Sequence, residues 1–385
     1  MNVPSLKQQF AALIAAPSVS CTQPELDQSN AGVIDLLADW LGSLGFACEC
    51  QLIAPGKYNL LATRGSGPGG LVLAGHSDTV PFDAALWRAD PLTLREADDR
   101  WYGLGACDMK GFFALVIEAV RPLLDQPFRQ PLIILATCDE ESSMSGARAL
   151  ADAGRPLGRA AVIGEPTGLR PVRLHKGVMM ERIDILGQSG HSSNPAYGRS
   201  ALDAMHAVMG ELIALRGEWQ QQFRNPMFSV PQPTLNLGCI HGGDNPNRIC
   251  GHCALEFDLR PLPGMQPDQL RMMIRERLRP VAERHQVQLD LAPLFPSAPA
   301  FEEPAGSELV RLAERLTGHC AEAVAFGTEA AYLQQLGCQT LVLGPGDIAC
   351  AHQPDEYLDL ARIEPTVTVL RQLIGHYCLS PMFET

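Results

Sequence analysis

The segment CDEES, residues 138–142, sets three acids side by side at the end of an apolar run: Asp139, Glu140 and Glu141. Adjacent carboxylates repel one another, and a strand buried by its neighbours offers them no relief. Either the three stand in a solvated loop, or something positive collects them. Four further segments carry residues of the same chemistry. His76 and Asp78 follow LVLAG, Glu165 follows AVIG, Asp108 lies in GACDMKG, and His352 lies in AHQPDE, a few residues after TLVLGPG. Each alone has a bland reading. An acid before a helix is a cap, a single histidine is a hydrogen-bonded core or surface residue, and paired glutamates are a solvated loop. The coincidence changes this, because two histidines and at least three carboxylates at one edge are repulsive when empty and favourable around divalent cations. Imidazole with carboxylate suits zinc, cobalt or manganese better than magnesium or calcium. Two ions fit the charge. Asp108, Glu141, Glu165 and one bridging hydroxide balance two dications, and neutral His76 and His352 complete the shell. Ions about 3.5–4 Å apart need a shared carboxylate, and Asp108 is the natural candidate.

The elements that must position these residues read as an α/β pattern. NLLATRG, GGLVLAGHSD, PLIILATCDEE, AAVIGEPT and QTLVLGPG are short apolar runs bounded by turn residues, and MKGFFALVIEAVRPLL and ARIEPTVTVLRQLIGHYC have helical spacing. Strands alternating with helices predict a mostly parallel central sheet with helices on both faces. Ligands in such sheets collect at the carboxyl ends of the strands, where four of these runs deliver His, Glu or Asp. Asp108 stands at the start of a helix, where the dipole also favours a carboxylate. The middle of the chain differs. VMMERIDIL, ALDAMHAVMGELIALRGEW, TLNLGCIHGGD, ICGHCALEFDLRP, QPDQLRMMIRERLRPVAERHQ and VQLDL read as strand, helix, strand, strand, helix, strand. That order is a compact α+β unit of ferredoxin-like type. We expect it to be inserted at 176–292 as a lid or dimerisation domain, interrupting a catalytic domain of 1–175 and 293–385.

Composition bounds the partners. The chain has 385 residues and a net charge of −13, which argues against nucleic acid or an anionic membrane as partner. No apolar run is long enough to span a bilayer, and the N-terminal apolar patch has the periodicity of an amphipathic helix rather than of a secretory leader. Twelve cysteines scattered from Cys21 to Cys378 read as free thiols of a reducing cytoplasm. Cys250 and Cys253 form a CxxC, the spacing of thiol oxidoreductases and zinc sites. They lie in an alternating strand rather than at the helix start that activates a redox cysteine, so the redox reading is set aside.

Six motifs in order, GHSDTVP, GACDMKG, CDEESSMSG, GEPT, GQSGHSS and AHQPDEY, resemble those of the dinuclear zinc aminoacylase and metallopeptidase family over essentially the whole chain. The resemblance implies two divalent ions, zinc or alternatively cobalt. His76 and Glu165 would hold one ion, Glu141 and His352 the other, and Asp108 both. It implies that Asp78 orients the His76 ring, two residues away on an extended chain. It makes Glu140 the general base rather than a ligand, and Asp139 a solvated or backbone-capping acid. His191 would donate to the tetrahedral oxyanion, often from the partner subunit of a homodimer, and the peptide Asp108–Met109 would be cis. Longer stretches, among them YGLGACDMKGFFA, PVRLHKG, PTLNLGCIHGGD and AHQPDEYL, are similar to the branch that removes the acetyl group from N2-acetyl-L-ornithine in arginine biosynthesis.

Such a substrate needs a clamp for its carboxylate and an acid for its amine. Arg248 in NPNRIC is the candidate clamp, because guanidinium binds carboxylate bidentately. Asn236 and Asn247 are candidate helpers, and Glu329 in GTEAAYL is a candidate for the amino end. Other readings stay open: a different N-acyl amino acid such as succinyl-diaminopimelate or acetylcitrulline, or a small peptide. A metal-binding protein without catalysis is a poorer reading, because a storage site gives Glu140 no reason to be there.

Overall fold

The computed structural model of the chain describes residues 3–379. It divides into two compact units. The first runs to Arg173, resumes for Glu303–Glu322, and resumes again from Thr328. Its sheet has the strand order Ala47–Ala54, Lys57–Arg64, Leu132–Thr137, Leu71–His76, Ala160–Ile163, Gln339–Val342, Val172–His175. Leu132–Thr137, Leu71–His76, Ala160–Ile163 and Gln339–Val342 run parallel, so their carboxyl ends share one edge. The flanking strands pair antiparallel. The sheet is therefore mostly parallel at its centre. Every residue of the first three of those strands is buried, as expected of strands covered on both faces. Helix Lys110–Val120 is buried along nearly its whole surface and packs against Leu6–Ala15 and Ile363–Ile374 in one continuous core.

The second unit, Leu174–Glu302 with Ala323–Gly327, has its own core. Four antiparallel strands run in the order Thr234–Gly242, His252–Arg260, Met179–Leu186, Gln288–Pro293. Helices Ala201–Gln222 and Pro267–His285 pack together, the first also on the sheet's central strands. Met179–Leu186 alternates buried and half-buried residues, the signature of a sheet with one covered face. Cys250 and Cys253 lie just before and within His252–Arg260, both buried, and all twelve cysteines are free. Among the described residues no helix is long and apolar enough to cross a membrane.

Candidate metal centre

The parallel strands bring the chemistry together. His76 ends one strand and pairs in register with Thr137 of the next, which leads directly into Asp139–Glu141. Glu165 follows Ile163 on the other side, and the loop after Gln339–Val342 carries His352. Asp108 occupies the middle. Its Oδ1 is 3.1 Å from His76 Nε2, and its Oδ2 is 3.4 Å from His352 Nε2. His352 Nε2 is also 3.1 Å from Glu141 Oε1, and His76 Nε2 is 3.8 Å from Glu165 Oε1. Ligand atoms of His76, Glu140 and Glu165, and again of His76, Asp108 and Glu141, lie within 4.8 Å of one another.

Electrostatics describe what this cluster suits. Burial, followed by repulsion from Asp108, pushes the Glu165 carboxyl well above its usual range, and burial with Glu165 as neighbour does the same to Glu140. Burial resists charge on His76, yet the Asp108 hydrogen bond and the charges of Glu165 and Asp78 raise it well above its ordinary value. His352 is raised to about 10 by its hydrogen bonds to Asp108 and Glu141. Asp108 is lowered despite burial, because both histidines hydrogen-bond it. Excess protons thus compensate a surplus of negative charge. Glu165 Oε1 and Asp78 Oδ1 are buried without a hydrogen-bond partner among the described residues. Unpaired buried carboxylate oxygens beside imidazole nitrogens are what a divalent cation satisfies, so the donor set fits such ions.

The supporting contacts differ in part from expectation. The His76 ring is oriented by the backbone of Asp78, not its side chain: Nδ1 lies 3.0 Å from the Asp78 carbonyl oxygen and 3.8 Å from Oδ1. This leaves Nε2 facing the cluster. The Asp78 carboxylate accepts the Glu141 N–H at 3.1 Å instead, and burial raises it to about 6. Asp139 is not a solvated acid. It is 8% exposed and ion-paired with Lys57 at 2.9 Å. Glu329 is 1% exposed, accepts the Thr137 hydroxyl at 2.8 Å, and is raised to about 7 by burial. It is therefore a wall of the cluster.

Glu356, four residues beyond His352 in the AHQPDEY segment, has a role that the residue type alone does not reveal. Its Oε1 accepts the N–H groups of Cys107 and Asp108 at 2.8 and 3.0 Å, which fixes the turn presenting Asp108. The Asp108–Met109 peptide is cis. Gly164 supports Glu165 by leaving room for an aromatic ring: a Cβ there would overlap Phe112. Gly164→Ala is expected to cost about 1–3 kcal/mol through overpacking and to weaken metal binding by shifting Glu165. Thermal melts of the metal-free protein and a chelator competition measure the two effects.

In the second unit, His191 is exposed, and its Nδ1 accepts the Ser193 N–H at 3.2 Å with the Ser193 hydroxyl at 2.8 Å. The neutral ring then carries its proton on Nε2, free to donate. Arg248 pairs with Asp244 at 2.6 Å and lines a cleft of about 660 Å³ with Ser192, Asp203 and Asn245. The Asn247 carbonyl accepts the Ser192 N–H at 3.1 Å. His191, Asn247 and Arg248 are thus neighbours, His191 and Arg248 bridging through their backbones. Asn236 is not with them. It lines a separate small cavity with Met180 and Asp258.

Residues 72–376 match the model of peptidase family M20/M25/M40. The chain belongs to this family. Its relatives include the acetylornithine deacetylase of Photorhabdus laumondii subsp. laumondii, 49% identical over 382 residues and 99% of each chain. That of Edwardsiella ictaluri is 50% identical over 379 residues, 98% of this chain and 99% of the relative. The fold is that of M20 enzymes. Aminopeptidase PepT from Bacillus cereus superposes with a TM-score of 0.74 at 20% identity, covering 97% of this chain and 98% of that one. The Bacillus subtilis YXEP protein, described as a dinuclear metal binding peptidase of family M20, gives 0.66 at 15% identity, covering 96% of both.

Proposed function

We propose that the chain is a metal-dependent amide hydrolase that converts N2-acetyl-L-ornithine and water into L-ornithine and acetate, a step of arginine biosynthesis. The observation that carries the chemistry is Asp108, with one oxygen toward each histidine and the half-buried Glu140 beside His76 and Glu165. The substrate follows from relatives about half identical over nearly the full length and named for it.

His76 and Glu165 would hold one ion, Glu141 and His352 the other, and Asp108 both. Histidine with carboxylate favours zinc, with cobalt as a working substitute. Bound there, divalent ions polarise the acetamide carbonyl and make water nucleophilic near neutral pH. Glu140 takes the proton released as the water oxygen bonds to the acetyl carbon. It then hands that proton to the nitrogen as the C–N bond breaks, so the amine leaves neutral. His191, with its proton on Nε2, donates to the carbonyl oxygen as it becomes anionic. Arg248 and Asn247 are suited to the substrate carboxylate, and Glu329 is a candidate for its amino end. The second unit is the expected contact of a homodimer, and twelve free cysteines suit a cytoplasmic enzyme.

His191→Ala is expected to lower kcat about 10²–10³-fold, the effect of losing one oxyanion donor, with metal content unchanged. Steady-state kinetics beside metal analysis check it. The substrate reading is tested by comparing kcat/KM for N2-acetyl-L-ornithine, N2-acetylcitrulline, N-succinyl-diaminopimelate and a dipeptide. Acetylornithine should lead. A lead for any of the others replaces the substrate and keeps the chemistry.

A further inference from the structure

The loop bearing Glu140 and Glu141 is held from a neighbouring strand. Lys57–Arg64 pairs antiparallel with Leu132–Thr137, Leu60 opposite Ala136, so its first residues run alongside the departing loop. Asn59 ties the loop's two ends together: its Oδ1 accepts the Cys138 N–H at 3.2 Å, and its Nδ2 donates to the Gly146 carbonyl at 3.0 Å. Lys57 Nζ lies 2.9 Å from Asp139 Oδ1 and 2.7 Å from Asp27 Oδ1. The Ser20 hydroxyl donates to the same Asp139 oxygen at 3.0 Å, and the Ser145 hydroxyl to the other at 2.7 Å. Ser20, Lys57, Asn59 and Asp139 are all buried.

Two physical consequences set this apart from an ordinary structural ion pair. Asp139 has a φ of 58°, the left-handed region that a non-glycine residue occupies only when its surroundings enforce it. That turn sets the directions in which Glu140 and Glu141 leave the strand. Asp139 is also one more buried acid beside a crowded set, and a buried carboxylate without a cation is strongly unfavourable. Lys57 supplies the cation. Although burial opposes its charge, the hydrogen bonds it donates to Asp27 and Asp139 hold the ammonium above its ordinary value.

We propose that Lys57 and Asn59 are positioning residues: they lock the turn at Asp139 that sends Glu140 and Glu141 to the metal cluster, and Lys57 keeps Asp139 out of it. The proposal rests on the reading of Glu141 as ligand and Glu140 as base. The test uses full-length Lys57→Met, Asn59→Ser and the double variant Lys57→Met/Asp139→Asn. Zinc affinity is read by chelator competition without substrate, together with kcat, KM and melting temperature at saturating zinc.

Lys57→Met and Asn59→Ser should each lose about 10- to 100-fold in zinc affinity or kcat, the usual effect of removing support behind a metal ligand, with KM little changed. The double variant should recover most of the Lys57→Met loss, because asparagine tolerates the left-handed turn and needs no cation. Melting temperatures that fall while zinc affinity and kcat stay at wild-type values would overturn the proposal. If Lys57→Met does not fold, Asn59→Ser decides by the same two readouts. If the wild type hydrolyses no acetylornithine, the functional reading fails on its own, and the zinc affinities still decide the positioning role.

Discussion

Replacing Glu140 by glutamine lowers kcat by about 10²–10⁴-fold, the contribution of a general acid–base group, and leaves bound metal undiminished. The first half of this result follows from the proton's path. The attacking water must lose a proton and the amine must gain one, and Glu140 is the half-buried acid next to the ligands that the charge balance does not need. The second half separates two roles that the geometry permits, because Glu140, His76 and Glu165 could themselves hold an ion. A ligand taken away loosens the metal; a base taken away does not. Burial and the neighbouring Glu165 push the Glu140 carboxyl well up when no cation is near. Cations reverse that push and leave a carboxylate able to accept a proton. Metal analysis of the purified variant beside its kcat therefore reads the role directly: loss of metal in step with loss of activity makes Glu140 a ligand.

Stripping the metals is expected to abolish hydrolysis and to lower the melting temperature, with a gap between loaded and stripped protein that widens as pH rises. Glu140 and Glu165 are raised above their ordinary 4.5, Glu329 reaches about 7 and Glu356 about 8, in each case first through burial. A group raised on folding supports stability below its unfolded value and loses that support as pH climbs through its folded one. His352, raised to about 10 by its hydrogen bonds to Asp108 and Glu141, acts in the same direction. The stripped protein should thus weaken steadily from about pH 4.5 toward pH 8, as carboxylates ionise with no cation between them. His175, lowered to about 4 by burial, has the opposite sign, but it is no part of the metal cluster and cancels in the comparison. Tighter metal binding as ligands deprotonate widens the gap further. Calorimetry at about pH 6 and about pH 8 with and without chelator measures it; a gap that is constant or shrinks with pH contradicts this account of the cluster.

Much of this was legible in the chain because the central strands are buried on both faces. Such strands read as unbroken apolar runs, so the residue that ends each run stands out, and His76, Glu141 and Glu165 could be picked from punctuation alone. The edge strand Ala47–Ala54 is largely exposed and mixes polar residues with cysteine, and it offered no such contrast. Asp139 was misread because its partner, Lys57, lies on another strand far away in the sequence. The Asp78 carboxylate was expected on the His76 ring, but the carbonyl of the same residue is also within reach and makes the bond. Glu356 stands in the AHQPDEY segment, but it bonds to backbone N–H groups of Cys107 and Asp108, so its partners could not be read from residue types. Asn236 lies within strand Thr234–Gly242 and Arg248 in the segment before His252–Arg260, and composition could not tell that they line different cavities.

The most direct test of the function is acetate release from N2-acetyl-L-ornithine by the purified, zinc-loaded chain. Turnover that chelation abolishes and zinc or cobalt restores is the predicted result. Absence of release from metal-loaded, folded protein, or release that persists in the chelated protein, contradicts the assignment of this cluster as a metal-dependent deacetylase.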